Sequence, residues 1–231
     1  MTKFEALFGI KESEIKNTCV LMPLLPKGVL DMFGVKNLFR GKIYSSGNAE
    51  NFTLINTGMG PGFAGDAGLY LSDTTCKNII LFGSCGLVKP YDGIDIGSLV
   101  APVECFAMES FTNLLLKNHD FKTFYPDTKM VNSFLDNNKS VQKVNCATLG
   151  SLKLEEENLD LFARRNIQAV DMECSSLFSS AQYKNLKAMA LFYISDIIGK
   201  KPFYEKFSGE DQMKLDSSIK SAVKSICCFI K

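Results

Sequence analysis

The chain has little histidine, almost no net charge and no long apolar run. Its one histidine, His119, lies between Asn118 and Asp120, so His-based metal sites and Ser-His or Cys-His triads have no second candidate. It reads as a solvent-facing loop residue. The 26 basic residues are balanced by 25 acidic ones. That balance leaves no electrostatic footprint for nucleic acid or an anionic membrane, and it points to a small neutral ligand. No segment approaches the roughly 18 apolar residues of a membrane span, and the charged first dozen residues hold no apolar core of signal-peptide length. No Cys-x-x-Cys pair occurs among the eight cysteines, which fall mostly inside apolar runs. They read as buried free thiols in a reducing cytoplasm, with no metal site implied.

What is present fits one α/β domain over residues 1–231, since no linker divides the chain. Asn17 to Leu25 reads as a buried strand entering a loop punctuated by Pro23 and Pro26. Lys42 to Ser46 and Phe52 to Asn56 read as a hairpin. Gly58-Met59-Gly60-Pro61-Gly62 is a glycine-dense turn opening a helix over Phe63 to Thr75, with Pro61 near its first position. Gly62, Gly65 and Gly68 recur every third residue there. Each interior glycine costs a helix about 1 kcal/mol against Ala, so close backbone packing is the expected compensation.

Asn78 to Phe82 is a fully apolar strand that runs into Gly83-Ser84-Cys85-Gly86, read as a small-residue turn at the sheet's carboxyl edge. Gly97 to Cys105 is a further strand, and Phe106 to Lys129 reads as a long loop with a helical turn. Gln142 to Leu149 resembles a strand and Glu155 to Asn166 an amphipathic helix. A helix from Cys174 to Tyr183 leads to the apolar strand Ala188 to Ile194, which ends in Ser195-Asp196. The last helix, Ser208 to Lys231, is capped by Ser208 and structural.

The chain turns on Ala169 to Ser176, where a short apolar approach meets Asp171-Met172-Glu173. In an extended segment Asp171 and Glu173 would share one face, and such a carboxylate can accept two hydrogen bonds from a vicinal diol. Taken alone, the triplet reads equally as a helix N-terminus whose dipole favours acids. The lone acid Asp196, with the Ser195 hydroxyl to orient it, is a second polar event at the same edge.

Gly58-Met59-Gly60, Gly83-Ser84-Cys85-Gly86, Val170-Asp171-Met172-Glu173 and Ile194-Ser195-Asp196 follow one another over residues 17–230. In that order they resemble the purine nucleoside and uridine phosphorylase family, which includes the methylthioadenosine/adenosylhomocysteine nucleosidases. The resemblance implies a three-layer α/β/α sandwich around a mixed, partly barrel-like sheet. It also implies a homo-oligomer, dimer or hexamer, that cleaves a nucleoside N-glycosidic bond. On this footing Glu173 accepts hydrogen bonds from the ribose hydroxyls, Met172 packs on the sugar, and Asp171 and Gly60 belong to the substrate-binding set. Asp196, steadied by Ser195, protonates the purine leaving group, and Ser84 lies in the phosphate or water subsite. Arg40 matches an arginine lent by a neighbouring subunit. No cofactor is implied beyond inorganic phosphate as co-substrate.

The departures bear on the nucleophile. Pro23 to Gly28 carries no arginine, and Leu81-Phe82 stand where the family has another. At about 1.5–3 kcal/mol per charge-assisted bond, losing two guanidinium groups removes much of a phosphate's binding. The nucleosidases lack these arginines too, yet Met22 to Leu25 hold none of their water-activating glutamate. The Gln-x-Arg pair that reads a pyrimidine is also missing, which favours a purine, with the base near Leu149 to Leu152. Three readings follow: a phosphorylase, a hydrolytic nucleosidase acting on a 5′-modified adenosine, or a non-catalytic nucleoside-binding protein. Retention of Glu173, Ser195 and Asp196 favours an enzyme, because a binder needs no proton donor.

Overall fold

In the central strands alternate residues are apolar on both faces, and helices cover each face. The computed structural model describes residues 1–91, 93–117, 120 and 122–231; His119 lies outside the described residues. Its elements are α1 (Lys3–Phe8), β1 (Thr18–Met22), α2 (Val29–Phe33), β2 (Phe39–Arg40), β3 (Ser45–Asn48), β4 (Thr53–Asn56), α3 (Pro61–Leu71), β5 (Asn78–Leu87) and β6 (Leu99–Met108). They continue with α4 (Ser110–Leu116), β7 (Thr123–Phe124), α5 (Thr128–Asp136), β8 (Gln142–Leu149), α6 (Leu159–Arg164), β9 (Ala169–Asp171), α7 (Cys174–Tyr183), β10 (Lys187–Ile197) and α8 (Gly209–Ile230).

Side chains sort by strand parity. Cys19 and Leu21 of β1, Ile79 and Leu81 of β5, and Ala188 and Ala190 of β10 pack with Phe8 of α1, Leu71 of α3 and Phe178 of α7. Their neighbours Val20, Ile80, Phe82, Met189 and Leu191 pack on the other side with Phe33 of α2, Phe134 of α5 and Val223 of α8. The result is the expected α/β/α sandwich. Its sheet is mixed and closes in part on itself. β5 pairs with β10 in parallel, β10 with β6 antiparallel, β6 with β8 and β8 with β9 in parallel, and β9 returns to β5 antiparallel. Outside this five-strand ring, β1, β4, β3 and β2 extend from β5.

The sheet therefore forks along β5. β1 pairs with it over Asn78 to Leu81, and β9 takes over the same edge only at Gly86 and Leu87. Between the two, Gly83, Ser84 and Cys85 keep β10 on one side and have no strand on the other. A fork of this kind at strand ends is where an open α/β sheet offers room to a ligand.

Several expectations need correction. Gly83-Ser84-Cys85-Gly86 is strand, not turn, because its ladder with β10 runs unbroken from Asn78 through Cys85 and resumes at Gly86. β10 likewise runs through Ser195-Asp196, with a bulge between Ile194 and Asp196. A bulged residue drops out of the alternation, so Ser195 and Asp196 both reach the fork. Phe106 to Lys129 is not one long loop: β6 runs to Met108, then α4 and β7 precede α5. The α4 cap escapes ordinary sequence signals because it is a glutamate, Glu109, accepting from the Thr112 N–H at 3.1 Å. The helix expected over Glu155 to Asn166 shortens to α6, after 3₁₀ turns at Leu152–Leu154 and Glu156–Asn158. The short helices α1 and α2 carry no long periodic stretch.

The glycines of α3 do allow close approach. A Cβ on Gly65 would stand 2.3 Å from the Phe111 ring, and one on Gly68 would stand 2.3 Å from Ser180 Oγ. All eight cysteines are free; six are buried, Cys227 is half-buried and Cys228 exposed. Ser208 caps α8 by accepting from the Asp211 N–H at 3.0 Å. Among the described residues no helix is long and apolar enough to cross a membrane.

Candidate active site

A cavity of about 310 Å³ fills the fork, with β5 as its floor and the ends of β1, β9 and β10 around it. Asp171 is the last residue of β9, and Glu173 is the N-cap residue of α7 with φ −133° and ψ −29°. The two acids are therefore not the extended pair the triplet suggested. Asp171 is turned into the junction. Its Oδ2 accepts the Glu173 and Cys174 amides at 2.9 and 2.6 Å, and its Oδ1 accepts the Thr148 hydroxyl at 2.6 Å. Thr148 Oγ1 in turn accepts the Ser175 amide at 2.8 Å. The helix-terminus reading thus describes Asp171, whose carboxylate satisfies first-turn N–H groups of α7. Burial pushes its carboxyl up, against the Thr148 hydroxyl and the Glu173 amide that hold it down.

Glu173 is presented to the cavity. Its Oε1 accepts the Gly60 amide at 2.7 Å, which explains the position of that glycine. Gly60 sits at φ +118°, a conformation that favours a residue without Cβ, and this aims its N–H across the chain at Glu173. A carboxylate offers about four acceptor positions, so one amide leaves capacity for a diol. Burial raises its carboxyl to about 7, opposed by the Gly60 and Met172 amides.

Asp196 faces Glu173 from the β10 side of the cavity. The Ser195 hydroxyl donates to Asp196 Oδ1 at 2.7 Å and stands 3.3 Å from the Cys85 carbonyl. Gly86 makes room for this carboxylate, since an added Cβ there would lie 3.2 Å from Asp196 Oδ2. Burial raises the Asp196 pKa and the Ser195 bond lowers it, so the group is tuned toward a proton donor. On the floor Ser84 of β5 and Tyr193 of β10 stand opposite each other in register, and both line the cavity.

A second wall comes from loops. Leu152 and Glu155, between β8 and α6, and Phe203, between β10 and α8, close the cavity beside Asp196. Glu155 is half-buried, and burial together with the Asp196 charge lifts its carboxyl to about 7. Sequence reading missed Glu155, Tyr193 and Phe203. Tyr193 reaches the cavity through its register beside Ser84 on paired strands, which no local signal announces.

The structure brings Asp171, Met172, Glu173, Ser84, Ser195 and Asp196 to one cavity, and Gly60 reaches it through its amide. It does not bring Arg40 there, which stands exposed on β2. Among the described residues the ionisable lining includes no lysine or arginine. One set of potential metal donors, Cys105, Cys146 and Asp171, lies buried with ligand atoms within 4.8 Å of one another. The Asp171 oxygens in that set are already held by amides and Thr148.

Uridine phosphorylase from Vibrio fischeri superposes with a TM-score of 0.78 at 14% identity, covering 94% of this chain and 91% of that one. The methylthioadenosine/adenosylhomocysteine nucleosidase of Campylobacter jejuni gives 0.72 at 14% identity over 93% and 98%. In sequence, a DeoD-type purine nucleoside phosphorylase from Aliivibrio fischeri is 27% identical over 74% of this chain and 69% of its own. One from Chromobacterium violaceum is 24% identical over 85% and 84%. The profile described as the phosphorylase superfamily matches residues 23–225. The chain belongs to that superfamily, among the nucleoside phosphorylases and nucleosidases.

Proposed function

We propose that this protein is an enzyme that hydrolyses the N-glycosidic bond of a purine nucleoside. The observation that carries the reading is the charge of the cavity: its ionisable lining groups are Glu155, Asp171, Glu173, Asp196, the Cys85 thiol and the Tyr193 phenol, and among the described residues no lysine or arginine lines it. A phosphate dianion there would meet carboxylates without a guanidinium to offset its desolvation. Water and a neutral nucleoside carry no such cost.

In this reading the Glu173 carboxylate accepts hydrogen bonds from the ribose hydroxyls and faces the positive charge that develops on the sugar. Met172 packs on the sugar. Asp196, oriented by Ser195, donates a proton to the purine as the glycosidic bond breaks. The Ser84 and Tyr193 hydroxyls hold the attacking water at the β5 floor. A 5′-modified adenosine has its own support. A second cavity of about 450 Å³, lined by Ile43, Tyr44 and Phe63, shares Met59 with the first and gives an apolar 5′ extension a place.

We also propose a homo-oligomer. Ile43, Met59 and Phe63 are exposed apolar side chains that line one cavity together, and Met59 also lines the main one, so a neighbouring subunit seated there would cover apolar surface beside the site. The free cysteines fit a cytoplasmic enzyme. The test is base release from inosine, guanosine, adenosine, methylthioadenosine and uridine, each with and without phosphate. Release from purine nucleosides indifferent to phosphate supports the reading. A phosphate requirement would mean that Arg40 of a neighbouring subunit completes an anion site. Binding without release would mean a nucleoside-binding protein.

A further inference from the structure

Glu155 is a carboxyl of the cavity to which this mechanism gives no step, and it occupies a particular place. It lines the main cavity together with Asp196, and the same two residues line a second cavity of about 260 Å³ behind them. With Leu152 and Phe203, which also line both, they stand between the substrate side and an outer chamber bounded by Lys153, Glu156, Pro202 and Tyr204. Asp196 comes from β10 and is buried; Glu155 sits between two 3₁₀ turns and is half-buried. One carboxyl faces the leaving group and the other has access toward solvent.

We propose that Glu155 is the proton reservoir of the base subsite, recharging Asp196 from the outer chamber at each turnover. This rests on the hydrolytic reading above. Asp196 gives up its proton at each turnover, and the carboxylate left behind, held at Oδ1 by the Ser195 hydroxyl, must be reprotonated before the next. Two carboxyls in one low-dielectric wall resist ionising together, so a proton on Glu155, whose carboxyl burial and the Asp196 charge lift to about 7, stays at hand for its neighbour. The groups facing Glu155 are Asp196 from β10, Glu156 beside it, Lys153 and Tyr204 in the outer chamber, and Asp171 and Glu173 across the main cavity.

The step balances. The Glu155 O–H proton passes to the Asp196 carboxylate, directly or through one water. Asp196 gives it to the ring nitrogen N7 of the purine while the C1′–N9 electron pair leaves with the base. Water adds its oxygen to C1′ and releases one proton to solvent, and Glu155 regains one from solvent through the outer chamber. Nucleoside and water become free base and free sugar.

The test compares wild type with Glu155→Gln and Glu155→Asp on methylthioadenosine or inosine. The second substrate is para-nitrophenyl β-ribofuranoside, whose leaving group needs no proton, and each is followed across pH. For Glu155→Gln the ratio of purine-nucleoside kcat to nitrophenyl-riboside kcat should fall about tenfold or more, the low end of proton-transfer catalysis. The alkaline limb of purine-nucleoside kcat should shift to lower pH than in wild type, and Glu155→Asp should restore part of the loss. An unchanged ratio and limb would overturn the proposal. Equal loss on both substrates would also overturn it, by showing that Glu155 shapes the cavity. Wild-type protein that cleaves neither substrate would remove the hydrolytic reading and this proposal with it, an outcome distinct from either.

Discussion

The two walls of the cavity are built differently. The strand wall, from Ser84 on β5 to Asp171 at the end of β9 and Asp196 on β10, is held by ladder pairing and by hydrogen bonds of 2.6–2.9 Å within the junctions. The loop wall, with Leu152, Glu155 and Phe203, has exposed apolar side chains, Leu152 at 43% and Phe203 at 50%. Groups that must meet a reacting atom within a fraction of an ångström sit on the rigid wall, and groups that meet the variable part of a ligand sit on the adaptable one.

If that division is right, variants on the strand wall should cost far more than variants on the loop wall. The largest effect belongs to Asp196→Asn, which keeps the shape but removes the acid. Turnover of a purine nucleoside should fall about 10²–10⁴-fold with KM little changed, and steady-state kinetics alongside nucleoside titration would check it. Asp171→Ala comes next, through stability. It strands two amides and the Thr148 hydroxyl in the core, and denaturant unfolding should show a loss of about 3–5 kcal/mol.

Glu173 sharpens the comparison through pH. Its folded carboxyl is raised to about 7 from the ordinary 4.5, so the folded state binds more protons than the unfolded state between those values. Stability from this group is complete below about 4.5 and is lost as pH rises through about 7. Thermal melts of wild type should fall across that window. Glu173→Gln, which can still accept the Gly60 amide, should flatten the fall and weaken kcat/KM about tenfold or more. The smallest effect is expected at Phe203→Ala, a severalfold rise in KM with kcat unchanged, since it removes loop packing against the ligand alone. A kcat loss there comparable to that of Asp196→Asn would erase the distinction between the walls.

The strand wall was also the legible one. Apolar runs such as Asn78 to Phe82 and Ala188 to Ile194 mark buried strands because burial on both faces demands it, and an acid or a serine at their ends stands out against that background. Legibility stopped at strand ends. Nothing in Gly83-Ser84-Cys85-Gly86 reveals that it continues a ladder, since the partner that holds it, β10, is more than a hundred residues away. The bulge at Ser195 and the fork between β1 and β9 are properties of pairing, not of any one segment. Glu155 was hidden for a different reason: it is one of three consecutive glutamates, and only the 3₁₀ turns around it decide which of them reaches the cavity. The Asp171-Met172-Glu173 triplet supported two local readings, and the helix terminus is the one that formed: Asp171 accepts the Glu173 and Cys174 amides, and Glu173 is the N-cap residue of α7.

The account stands on water, rather than phosphate, as the nucleophile in a cavity without a cation. The direct measurement is turnover of methylthioadenosine or inosine in heavy-oxygen water containing phosphate, with the sugar product read by mass spectrometry. Free sugar carrying one heavy oxygen at the anomeric position is the predicted result, once exchange of the sugar product in the same solvent has been subtracted. A sugar 1-phosphate, formed only when phosphate is present, would contradict it.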